Sequence, residues 1–231
     1  MATTGNPLNP VQTVPARSNS RIVRLREAGQ PRGSADYAGI LLHGRSRTKQ
    51  EMLDLAGPLD IGNVRWLAPY ADRGLWYPGR YMEPLESNEP QLTRAVERVH
   101  WLMSDASENG RLGPEQIFIV GFSQGACIAS EFALRYPAKV AALVIFSGCL
   151  MGPPETIWKT ADGRSLKGTS IFITGSDVDE WIEESRSRET ARVFRELGAD
   201  VELRIYPGKP HVVSKEELAE AHQFLASRLE A

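Results

Sequence analysis

Apolar positions along this chain fall into two alternating kinds of run. Short blocks rich in β-branched residues, most of them continuously apolar, occur at 21–27, 38–43, 64–68, 117–120, 140–147, 170–174 and 201–206. Blocks that are apolar at successive positions predict strands covered on both faces, as in a parallel sheet. Longer stretches with apolar residues three and four apart separate them, at 49–59, 91–108, 123–136, 182–197 and 215–229. These predict helices. In the last of them Leu218, Ala221, Leu225 and Leu229 share one face, with Lys and Glu opposite. Strand alternating with helix predicts βαβ units around a mostly parallel central sheet, an α/β architecture flanked by helices.

Two stretches carry neither period. Residues 70–90 hold Trp76, Tyr77, Tyr81 and Met82 among Pro78, Gly79, Pro84 and Pro90, and residues 148–168 hold Pro153, Pro154 and Trp158. Their aromatic content predicts ordered flaps near the C-terminal edge of the strands. Neither is long enough for a separate cap domain. Residues 1–19, rich in Pro, Asn, Thr and Ser, predict a mobile arm, which leaves 20–231 as a single domain.

Composition narrows the function classes. Hydrophobic residues are 42% and charged residues 24% of the 231, with a net charge of −2, the balance of a globular domain with a sizeable core. Nothing in that charge points to nucleic acid or to a membrane surface. No apolar run approaches a membrane span, and the first ten residues lack the basic and apolar segments of a secretory leader. A cytoplasmic location is the expectation. The two cysteines, Cys127 and Cys149, are expected as buried thiols, and no C-x-x-C or His/Cys cluster suggests a metal.

Chemistry enters at Gly121-Phe-Ser-Gln-Gly125, between the apolar block 117–120 and the small-residue helical run that starts at Ala126. A G-x-S-x-G between strand and helix is the signature of the α/β-hydrolase nucleophile elbow, where a sharp turn presents Ser123 and the flanking glycines relieve crowding. A serine hydroxyl needs a base, and the base needs an orienting group. In this fold the order is serine, acid, histidine. Only His211 and His222 follow Ser123. His211 lies in a loop directly after a strand, where it can reach over the sheet edge. His222 lies inside the last helix and His100 inside another, which suits packing. Asp177 and Asp179 both follow the block 170–174, and spacing alone does not choose between them. The oxyanion hole is expected from the backbone N–H of Gln124 and, after the strand–loop transition at Leu42-His43-Gly44, from that of Arg45.

Together these segments resemble the phospholipase/carboxylesterase branch of the α/β-hydrolases, which includes bacterial carboxylesterases and acyl-protein thioesterases. The resemblance rests on Leu42-His-Gly-Arg45, Gly121-Phe-Ser-Gln-Gly-Ala126, Ser147-Gly148, Asp179-Glu-Trp-Ile182 and Tyr206-Pro-Gly-Lys-Pro-His211, and runs over 21–229. Trp76-Tyr-Pro78 and Asn88-Glu-Pro90 resemble a bacterial subset. The family's acid loop implies Asp179 as the triad acid. Three departures stand out: Ser46 replaces a frequent glycine, Glu180 and Glu183 replace prolines, and Gly175 lies further than usual from Asp179. They imply a reshaped acid loop and pocket.

The expectation is therefore an α/β-hydrolase fold without a large cap, and a serine ester hydrolase using Ser123, Asp179 and His211 with no metal or organic cofactor. Trp76, Tyr77 and Trp181 are the expected substrate-binding aromatics, and the partner is a small-molecule acyl or aryl ester. A monomer or homodimer is expected. Thioesterase or lysophospholipase activity is the enzymatic alternative, and a non-catalytic ligand-binding protein of the same fold is the other class.

Overall fold

Eight strands make one sheet in the computed structural model, which describes residues 12–15, 22–47, 49–137 and 140–229. They are β1 (Gln12–Pro15), β2 (Ile22–Gly29), β3 (Tyr37–Leu42), β4 (Val64–Pro69), β5 (Ile117–Phe122), β6 (Ala142–Phe146), β7 (Ser170–Gly175) and β8 (Asp200–Ile205). Their spatial order is β1-β2-β4-β3-β5-β6-β7-β8. β1 pairs antiparallel to β2, and β2 to β4. All other pairs are parallel. The α/β-hydrolase expectation is met. Most of the predicted arm lies outside the described residues; its described part, Gln12–Pro15, adds the edge strand β1.

The continuous apolar blocks are continuous because both sheet faces are covered. In β5, Ile117 and Ile119 face one core while Phe118 and Val120 face the other. The first core receives α2 (Gln91–Ala106), α3 (Gln124–Arg135) and α4 (Glu184–Glu196) through Val96, Val99, Ile128, Phe132 and Phe194. The second receives α1 (Lys49–Asp54) and α5 (Lys215–Leu229) through Met52, Leu53, Ala221, Phe224 and Leu225. Such two-sided cover is what a parallel sheet requires.

Both long loops are ordered and lie at the C-terminal edge. Gly152 N–H donates to Tyr81 O at 2.7 Å, joining them. Buried Asn88 accepts from Gly79 N–H at 2.8 Å and donates to Arg80 O at 3.1 Å. Arg186 donates to Leu150 O and Gly152 O, both at 2.9 Å, and packs its guanidinium against the rings of Tyr81 and Trp158.

Candidate active site

The end of β5 and the start of α3 meet at Ser123, whose φ of 55° and ψ of −120° lie outside the regions an L-residue favours. Two contacts force that turn. A Cβ at Gly125 would lie 2.2 Å from Leu42 O, and one at Gly121 would lie 2.6 Å from the Ala126 backbone. α3 thus packs backbone to backbone on β3 and β5. Ser123 N–H donates to Phe146 O at 2.9 Å, which anchors the corner to β6.

Three residues from three strand ends converge here. His211 Nε2 is 2.8 Å from Ser123 Oγ, and His211 Nδ1 is 2.9 and 2.8 Å from the two Asp179 oxygens. Asp179 Oδ1 also accepts from the N–H groups of Trp181 and Ile182, each at 2.9 Å. Burial alone would raise the Asp179 carboxyl, but the His211 bond and these two amides outweigh it and hold it below the ordinary carboxylate range. Asp177 points elsewhere. Its Oδ1 accepts from Gly208 N–H at 2.7 Å and ties the acid loop to the histidine loop. His222 sits on α5, and His100 stacks on Tyr136.

Gln124 opens α3, so its N–H has no acceptor one turn back. In the loop after β3, Ser46 N–H donates to Gly74 O and Arg47 N–H to Gly44 O. The Arg45 N–H makes no such backbone bond among the described residues. His43 braces this loop: Nδ1–H donates to Gly44 O at 2.8 Å, and Nε2 accepts from Ala71 N–H at 3.1 Å. Burial lowers its pKa, so the ring is neutral with the proton on Nδ1.

A cavity of about 560 Å³ opens over Ser123 and His211. Tyr77 and Trp181, two of the three aromatics named from the sequence, line it. Trp181 is 57% exposed, with its ring centroid 6.4 Å from that of His211. Trp76, expected beside them, does not line the cavity. It is 2% exposed, and its indole N–H donates to His43 O at 2.7 Å, so its ring is committed to holding the loop after β3.

Two devices escaped sequence reasoning. The Gln124 side chain accepts from Trp76 N–H at 2.9 Å and donates to Tyr77 O at 2.7 Å, pinning the flap to the elbow. Its signal is a polar residue opening an elbow helix whose next six positions, 125–130, are all small or apolar. The second is a buried ion pair behind His211. Lys209 Nζ lies 3.2 Å from Glu217 Oε1 and donates to Val212 O at 2.9 Å and Ser147 Oγ at 3.2 Å. Glu217 in turn accepts from Thr174 Oγ1–H at 2.6 Å and Ser214 N–H at 2.7 Å. Here the signal is Ser214-x-x-Glu217 before an apolar run, a capping box.

The chain is similar to known proteins in sequence and in fold. A family model described as phospholipase/carboxylesterase matches residues 30–229. A probable carboxylesterase of Oryza sativa subsp. japonica is 29% identical over 153 residues, 64% of this chain, and the match spans 56% of its own length. An acyl-protein thioesterase 1 of Eremothecium gossypii is 30% identical over 90% of this chain and 94% of its own. The crystal structure of a phospholipase/carboxylesterase from Dyadobacter fermentans superposes with a TM-score of 0.80 at 29% identity, over 94% of this chain and 100% of that one.

Proposed function

The chain belongs to the phospholipase/carboxylesterase family, and from that premise we propose that it is a serine carboxylic-ester hydrolase working through an acyl-enzyme on small to medium acyl or aryl esters. Ser123 is the nucleophile, His211 the general base and Asp179 the group that orients it. The observation that carries this is the unbroken chain of hydrogen bonds from Asp179 through His211 to Ser123 Oγ.

Ser123 Oγ attacks the acyl carbonyl as its proton passes to His211 Nε2. The Nδ1–H stays on Asp179, which stabilises the imidazolium. The N–H groups of Arg45 and Gln124 receive the oxyanion, each such donor contributing about 3 kcal/mol to the transition state. His211 then protonates the leaving alcohol, and a water molecule releases the acyl group by the same steps. A thioester can follow the same route, and the Eremothecium relative is named for such a reaction. The cavity of about 560 Å³, closed on one side by the pinned flap, favours the smaller esters. The protein acts on a free small molecule, as monomer or homodimer. A reducing, cytoplasmic setting suits its two buried free thiols.

Nitrophenolate release from p-nitrophenyl acetate, butyrate and octanoate, by the protein and by Ser123→Ala, tests this reading. Release lost in the variant is the expected result. Equal release by both proteins would refute the assignment of Ser123. Turnover of long-chain acyl thioesters alone would replace the ester reading with the thioesterase one.

A further inference from the structure

Resting on the hydrolase reading above, we infer that the esters this site favours carry an anionic group, a carboxylate or a phosphate, received by Arg45, Arg47 and Arg80. The cavity that holds Ser123 and His211 is lined by these three arginines and by one acidic residue, Glu83. The Asp179 charge is turned away from it, onto His211.

The charges on these arginines are largely uncompensated. Arg45 donates through Nη2 to the carbonyls of Tyr77 at 3.2 Å, Pro78 at 2.9 Å and Gly79. Those acceptors are neutral, so the bonds fix the guanidinium at the mouth without cancelling its charge. Arg47 lies over the Phe122 ring, 5.8 Å from its centroid, and its Nη1 is 3.7 Å from Glu51. That pair is exposed on both sides and screened by water. The Arg80 guanidinium has no hydrogen bond or ion pair among the described residues.

The triad does not need these charges for its chemistry. Three like charges around one concavity with apolar walls raise its potential and concentrate anions in it. A neutral acyl chain can use Phe122, Tyr77, Trp181 and Ile182 but leaves the guanidiniums facing water. A substrate with an anionic end satisfies both parts of the wall.

The experiment compares 4-nitrophenyl hydrogen adipate with 4-nitrophenyl hexanoate, which share a leaving group and chain length but differ in a terminal carboxylate. A second pair puts the charge on the alcohol: the butyrate esters of 4-hydroxybenzoate and of 4-hydroxybenzamide. The quantity read is the ratio of kcat/KM within each pair, in 10 mM and 1 M salt, for the protein, Arg47→Gln and Arg80→Gln. The expected ratio favours the anionic ester by at least about fivefold in low salt in one pair, since each pairing contributes up to about 1 kcal/mol. It should collapse toward one in 1 M salt, where the Debye length shrinks from about 30 Å to about 3 Å, and fall in each variant. Inorganic phosphate inhibiting more strongly than the carboxylate product would assign the natural anion to phosphate; the reverse would assign it to carboxylate. Ratios at or below one in both pairs, or a ratio indifferent to salt and to the variants, would overturn the inference while Ser123-dependent hydrolysis of the neutral esters kept the hydrolase reading intact. No Ser123-dependent turnover of any of the four would overturn both.

Discussion

Replacing Lys209 with Met tests whether the buried ion pair positions His211 or merely supports the fold. Met preserves most of the apolar stem and deletes the charge. The side chains of Lys209 and Glu217 are 7% and 0% exposed, so the substitution strands a carboxylate in the interior. Breaking such a pair typically costs about 3–5 kcal/mol. Glu217 keeps its bonds from Thr174 and Ser214 and sits in the first turn of α5, where the helix dipole favours it. The loss should therefore lie near the lower end, about 3 kcal/mol, which a domain of ordinary stability survives. Catalysis should suffer separately, because the lost ammonium also held Val212 O, next to His211, and Ser147 Oγ. A displacement of the proposed base, His211, by about 1 Å can cost on the order of 100-fold. We expect kcat to fall about 10- to 100-fold with KM little changed. Urea denaturation and p-nitrophenyl butyrate kinetics read the two effects. The double variant Lys209→Met/Glu217→Gln removes the stranded charge and should regain about 1–2 kcal/mol of stability without regaining kcat. If kcat in the single variant stays within about twofold of the parent, or recovers together with stability in the double variant, the positioning role is refuted.

Two further outcomes are expected. His43 is buried as a neutral ring, so the folded protein takes up its proton less readily than the unfolded chain; the His43 contribution to stability should therefore decline as pH drops below the ordinary value of 6.5. Nitrogen-15 NMR should find the Nδ1–H tautomer with a midpoint below 6.5, and a normal or raised midpoint would contradict the bracing role. Gly125→Ala puts a methyl against the backbone of Leu42 and His43, which cannot yield as a side chain would; a loss of about 3 kcal/mol or more is expected by urea denaturation. Gly57→Ala, exposed and with nothing within 4 Å of the added Cβ, is the control and should be near neutral.

Strands and helices are legible in the sequence wherever burial is two-sided or periodic. The block 117–120 and the face of Leu218, Ala221 and Leu225 carry that pattern in the residues themselves. β1 is not legible, because Gln12–Pro15 has no apolar period and becomes a strand only by pairing with β2. α4 begins at Glu184 rather than near 182, because Asp179 first captures the amides of Trp181 and Ile182 in a turn. The choice between Asp177 and Asp179 could not come from spacing: two carboxylates two residues apart in a turn point different ways, and only tertiary contact shows which meets the imidazole. Trp76 misleads for a similar reason. An aromatic residue in a flap has the same composition whether it faces substrate or packs inward, and the acceptor that claims its indole, His43 O, lies 33 residues away. Lys209 and Glu217 are not legible as a buried pair, because loop lysines and helix glutamates are usually solvated.

The way the flap is fastened has a kinetic consequence. Arg45 on one side and Gln124 on the other already satisfy the backbone of residues 76–79, so this wall stands assembled before any ligand arrives. Binding then loses little free energy to ordering it. Turnover should begin without a lag and depend on monomeric substrate in ordinary saturating fashion, with no jump in rate when the ester passes its solubility limit and an oil–water interface appears.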